Sequence, residues 1–162
     1  MSITNEQRDS LIELYIAILD RAPDKDGLSF WSEVLLAQGG DIEYVANEMW
    51  NSAGAQADYP AFLTPDEIVA RIYENVLNRV PDAGGLAFWV SEWNANGPAA
   101  TMLAMIDNLK TNPSTDPQFL EDQQLFLNKV EFGEWFAVTL GSNDTDLAKL
   151  GNEAITSDPD SI

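Results

Sequence analysis

The sequence contains no cysteine and no histidine. The first absence excludes disulfides, thiolate nucleophiles and zinc–thiolate sites. The second excludes imidazole general bases, Ser-His-Asp and Cys-His catalysis, and imidazole metal ligands. Positive charge is scarce as well: 8 Lys and Arg stand against 27 Asp and Glu, a formal net charge of −19. A field of that sign repels nucleic-acid phosphates and anionic lipid surfaces, so neither is expected as a partner. It keeps a surface solvated and could draw divalent cations. No apolar run is long enough to span a bilayer, so no membrane insertion is expected. The stretch Ile3-Thr4-Asn5-Glu6-Gln7-Arg8 has neither the basic nor the apolar region of a secretory signal peptide. That fits a cytoplasmic protein, or one exported by a machine that reads a C-terminal signal. The chemistry that survives is that of carboxylates: hard cations held by oxygen, or acid pairs of the glycosidase kind. Nothing singles out one such pair, so no catalytic residue is nominated and an enzyme is not expected.

What the chain does have is an internal repeat. With 162 residues, 45% of them hydrophobic, it is long enough for one domain with its own core. Shifted by 58 positions it matches itself, with 11 identities in the 26 positions that pair 14–39 with 72–97. Tyr15, Leu19, Arg21, Pro23, Asp24, Gly27, Leu28, Phe30 and Trp31 recur as Tyr73, Leu77, Arg79, Pro81, Asp82, Gly85, Leu86, Phe88 and Trp89. Two copies of one helical unit are expected.

Local signals give each copy three helices. Leu11, Leu14, Tyr15, Ile18 and Leu19 share one face of a 3.6-residue period, and Val69, Ile72, Tyr73, Val76 and Leu77 repeat it. Thr4 with Gln7, and Thr64 with Glu67, read as capping boxes. Each first helix stops at Arg-x-Pro-Asp, where the proline disfavours helical geometry in the residue before it and the aspartate can cap a second helix. That second helix ends near Gly39 or Gly97, and a third follows. A long helix opens at Asp116-Pro117, with Phe119, Leu120, Gln123, Leu127, Val130 and Phe136 as its apolar face and Gly133 as a bend or a point of close approach. Ser142-Asn143-Asp144-Thr145-Asp146 caps a last short helix. No segment alternates with period two. The expectation is an all-α bundle of about seven to eight helices, a single domain over 1–162, with unit one near 4–53, unit two near 64–111 and C-terminal helices near 116–156.

The repeated motif has a structural and a functional reading. Structurally, Arg21, Pro23, Asp24, Gly27 and Trp31, with Arg79, Pro81, Asp82, Gly85 and Trp89, build two helix–loop–helix corners. There the aspartate caps, the glycine allows close approach, and the Phe-Trp pair anchors the core. Functionally, Asp24, Asp26 and Glu33 fall at positions 3, 5 and 12 of an EF-hand-like loop, a possible calcium set. Position 1 is then Ala22, and the second copy puts Gly84 and Ser91 where the other acids belong. Trp50 and Trp93 lack an aromatic counterpart in the other copy. They are the candidates for an exposed, sugar-stacking surface, against the competing reading that both are core.

At the Tyr-x-x-x-Leu-x-Arg-x-Pro-Asp-x-x-Gly-Leu-x-Phe-Trp element the chain resembles a bacterial family of helical domains of unknown function. These occur in large secreted and surface-layer-associated proteins, often beside glycine- and aspartate-rich calcium-binding repeats of type I secretion. Phe126-Leu127-Asn128-Lys129-Val130-Glu131-Phe132-Gly133 and Ser142-Asn143-Asp144 are similar to that family's C-terminal part. A weaker likeness, to the helical linker domains of cyanobacterial light-harvesting assemblies, points to scaffolding. The resemblance implies an extracellular or cell-surface setting and no resident cofactor beyond calcium. It brings no catalytic motif and no agreed ligand. Together with the missing catalytic residues it leads to the expectation of a non-catalytic binding or assembly module that attaches to cell-surface glycan or a surface-layer protein. The alternatives are a calcium-dependent structural or adhesive module and a small carboxylate-based glycan-processing enzyme.

Overall fold

The computed structural model describes residues 2–162. The chain is 75% helical, with no strand and nine α-helices among the described residues. In order these are α1 Asn5–Leu19, α2 Lys25–Ala37, α3 Ile42–Trp50, α4 Ala53–Asp58, α5 Pro65–Leu77, α6 Ala83–Asn96, α7 Pro98–Thr111, α8 Pro117–Glu134 and α9 Thr145–Ala154. A π-helical segment, Trp135–Leu140, continues α8, and a single 3₁₀ turn covers Pro159–Ser161. No described helix is long and apolar enough to cross a membrane.

Side chains close the helix starts as the sequence implies. Thr4 Oγ1 accepts from Gln7 N while Gln7 Oε1 accepts from Thr4 N, and Thr64 and Glu67 do the same for α5. Asp116 and Asp144 cap α8 and α9 through the amides of Phe119 and Leu147. The C-termini hold a surprise. Both α1 and α5 end on a left-handed residue that is not glycine, Asp20 at φ 50° and Asn78 at φ 53°. These two positions are repeat equivalents, so the corner bends the same way in both copies. Asp and Asn tolerate this geometry better than most residues. The capping amides of Asp20 and Asn78 reach back to Ile16 O and Glu74 O.

The two units pack through their first and third helices. Helix α1 packs on α5, and α3 on α7, with α2 and α6 on the flanks. The amide of Asn75 donates to Ala17 O across the α1–α5 seam. One core runs through both copies, from Leu11, Leu14 and Ile18 to Val69, Ile72 and Met102. A smaller core of Ala22, Leu125, Phe132, Phe136, Ala148 and Ile155 joins the C-terminal elements to the first corner.

Two expectations need correction here. Helix α4 was not anticipated; Ser52 caps it through Ala55 N, and Ala55 is its one buried residue. The inward face of α8 is also rotated from the expected one. Phe126, Lys129, Phe132 and Gly133 are buried, while Leu120 and Leu127 are about half exposed. Gly133 sets this orientation: a Cβ there would lie 2.5 Å from Ile12 Cγ2, so the glycine lets α8 press directly on α1.

Candidate functional site

The two corners share a plan and differ in one partner. In unit one Asp24 accepts from Gly27 N and from Arg21 Nη1, each at 3.0 Å, and the guanidinium lies over the Tyr15 ring. Burial pushes the Asp24 carboxyl up, but the bonds from Arg21 and Gly27 outweigh it and hold the group below its usual range. A Cβ at Gly27 would collide with the Tyr15 hydroxyl, so close approach is real in this copy. In unit two Asp82 still caps, accepting from Gly85 N at 2.7 Å. Arg79 keeps its place over Tyr73 but turns to α8, where its Nε and Nη2 donate to the two oxygens of the buried Asp122. The hydrogen bonds to Asp122 hold the guanidinium above its ordinary value.

The motif's aromatic pair is not a joint core anchor. Trp89 is buried and Trp31 partly so, but Phe30 and Phe88 are 57% and 56% exposed. Each Phe stands edge-on to its Trp, at 5.0 and 4.8 Å, so the motif buries the indole and leaves the phenyl in solvent.

The structure does not gather Asp24, Asp26 and Glu33 into one cluster. No group of three or more acids among the described residues is placed to hold an ion. Asp24 is committed to Arg21 and Gly27, and Glu33 lies exposed on α2. Asp26 is tied to the loop before α9, where Asn143 Nδ2 donates to Asp26 Oδ2 and Asp26 N donates to Asn143 Oδ1. The Ser142–Asp146 run therefore docks on the first corner by hydrogen bonds.

Trp50 and Trp93 are corrected as an exposed pair. Their rings meet edge to face at 5.2 Å, and Trp50 also lies 4.8 Å from Tyr59. Trp93 is buried, and both belong to the seam between the units. Lacking an aromatic counterpart in the other copy reflected a place at the seam between the units rather than exposure.

The solvent-facing apolar surface lies elsewhere. Trp135, Val138 and Leu140 of the π-helical segment, and Leu147 and Leu150 of α9, are 45% to 61% exposed. Between these two elements runs a groove of about 670 Å³, lined by Phe132, Trp135, Gly151, Ala154, Ile155 and Ile162, with Ser161 its one polar side chain. Gly151 makes the groove's floor, because any Cβ there would strike the Phe132 ring. The sequence hid this site. Trp135 lies outside the repeat, and Leu147, Leu150 and Ala154 are spaced as a core stripe would be.

These features define an all-α domain of two paired three-helix units with an apolar groove at its C-terminal end. Residues 46–107, from within α3 to within α7, match a family model described as a domain of unknown function (DUF4214). No curated protein and no solved structure matches the chain.

Proposed function

We propose that the chain is a non-catalytic assembly module of a secreted bacterial surface protein, and that it docks a protein partner through the groove between the π-helical segment and α9. The observation that carries this is the groove with its half-exposed Trp135, together with the exposed Leu147 and Leu150 on the same helix as the groove's Gly151 and Ala154. An exposed apolar patch on an otherwise highly charged surface marks an interaction site. A protein suits it better than a glycan. Sugars need several polar groups around an aromatic platform, and this groove offers the hydroxyl of Ser161 alone. With a net charge of −19, the fitting partner has an apolar centre and a basic rim. The secreted setting rests on the resemblance of the repeated motif, in keeping with the match at 46–107.

The test is retention of a fluorescent fusion of residues 1–162 on bacterial envelopes stripped of their surface layer. Saturable retention is expected. It should disappear after protease treatment of the envelope, and in the double variant Trp135→Ser, Leu150→Ser at an unchanged melting temperature. Retention that survives both would point to a glycan and overturn the proposal, and so would a complete lack of retention.

A further inference from the structure

A separate cavity opens where four elements meet: the end of α1, the end of α4, α5 and α9. It offers about 230 Å³ of room and shares no lining residue with the C-terminal groove. Ile18 and Tyr59 form its apolar wall, and the amide of Asn75 fixes the Tyr59 hydroxyl. The rest of the lining is charged: Asp20, Asp58, Arg71 and Lys149. In a chain of net charge −19 this lining is formally neutral, two acids against two of the eight basic residues.

The four charges are poorly satisfied within the protein. Asp20 Oδ1 accepts one long bond, from Asn152 Nδ2 at 3.5 Å, and Asp20 Oδ2 stands 3.8 Å from Lys149 Nζ, beyond hydrogen-bond reach. Glu153, the other carboxylate near Lys149, is also 3.8 Å away. Arg71 Nη1 donates to the backbone oxygen of Asp58, and among the described residues neither the guanidinium nor the Asp58 carboxylate has an ion-pair partner. Burial pushes the Asp20 carboxyl up, with Lys129 and Lys149 pulling the other way. The Asn152 Oδ1 beside it is buried without a donor. Asp20 is therefore short of donors, and Arg71 of acceptors.

We infer that this cavity binds a small zwitterion, an amino acid whose ammonium pairs with Asp20 and whose carboxylate pairs with Arg71. A ligand of one sign would satisfy one pair of side chains and be repelled by the other; a ligand with both signs completes both. Asp20 is the C-cap of α1, where the helix dipole favours a cation. The unpaired guanidinium matches a carboxylate in two parallel bonds. Lys149, half exposed and held by nothing closer than 3.8 Å, is free to turn to the same carboxylate. The limited room calls for a short side chain, which Ile18 and Tyr59 would cover. The set does not recur in the other unit: Asn78, the repeat equivalent of Asp20, is uncharged and engaged by Lys129 and Ile155.

NMR titration of the isotope-labelled whole chain with L-alanine, at matched ionic strength, tests this. The backbone amide signals of Asp20, Asp58 and Asn75 should shift saturably. Gly40, which lies against Gln7 at the opposite end of α1, should not move. Ethylamine and propionate each keep one of alanine's two charges and should bind about tenfold more weakly. Asp20→Asn retains a side chain suited to the left-handed turn, as Asn78 shows, and should reduce alanine to the affinity of propionate. Arg71→Gln, at an exposed position, should reduce it to that of ethylamine, and it carries the test alone if Asp20→Asn does not fold. The inference is overturned if no saturable shift appears, or if Gly40 moves as much as Asp20. It is also overturned if ethylamine or propionate binds as well as alanine, or if Arg71→Gln binds alanine like the wild type.

Discussion

The side-chain amide of Asn75 donates to the backbone carbonyl of Ala17 at 3.0 Å, and the two residues hold the same place in the two units. A second bond from the same amide, 2.9 Å long, reaches the buried hydroxyl of Tyr59. Where the first helices cross, one copy carries a methyl and the other a polar group that fastens the pair. Burial raises the Tyr59 hydroxyl well above its ordinary value, so it stays a neutral acceptor and donor there.

Asn75→Ala should therefore destabilise the fold by about 1–3 kcal/mol, since it strips partners from two buried groups. Urea melts read this directly. A variant that melts with the wild type would mean that the seam is held by apolar packing alone.

Lys129 gives a pH-dependent prediction. Its side chain is fully buried, and its ammonium donates to Asn75 O at 2.6 Å and to Asn78 Oδ1 at 2.7 Å, at the C-terminal end of α5. Burial lowers its pKa from 10.5 to about 8, with Asp20 and Glu153 pulling the other way. Between those values the unfolded chain holds the proton that the folded one has lost, so this residue's contribution to stability rises with pH. The wild type should gain on Lys129→Met by up to about 1.4 kcal/mol per pH unit across that window. Subtracting the two melts removes the tyrosine titrations common to both, and a flat difference would contradict the assignment.

The corner aspartates should behave unequally. Asp82→Ala removes an exposed helix cap and should cost about 0.5–1 kcal/mol. Asp24→Ala also strands the partly buried Arg21, and should cost about 2–3 kcal/mol. Equal losses in denaturant melts would show that the Arg21 pair adds nothing to the cap.

How much of this was legible in the sequence depends on range. Caps, corners and the repeat were readable because their signals lie within three or four residues or recur at a fixed spacing: Thr4 with Gln7, Asp24 with Gly27, Tyr15 with Tyr73. Exposure was not. Trp50 and Trp93 sit 43 positions apart and meet edge to face across the seam, a fact that no local window contains. Leu120 and Leu127 looked like core because they fit a helical period, but the closest approach of α8 is set by Gly133, which brings Ile12 to the opposite face. The left-handed ends at Asp20 and Asn78 could have been found, since Asx residues before an Arg-x-Pro corner are the type that tolerates that turn.

Gly133→Ala measures that approach. The added methyl meets Ile12 Cγ2 at 2.5 Å inside a packed interface and should cost about 1–3 kcal/mol. Pairing it with Ile12→Ala should recover part of the loss, so the double variant should melt above the sum of the two single changes. Strict additivity would place the strain elsewhere.

The joining of two equivalent units in one chain has a consequence for how such a domain can change. A symmetric dimer of single units would be obliged to keep both halves identical, because every substitution would appear twice. Joined in one chain, the copies are released from that obligation. Unit one keeps its Arg21–Asp24 corner, whereas unit two lends Arg79 to a helix that has no counterpart in the repeat. The covalent link supplies the local concentration that holds the halves together. One half can then keep its original contacts while the other takes on new partners and an asymmetry that a dimer of equals could not carry.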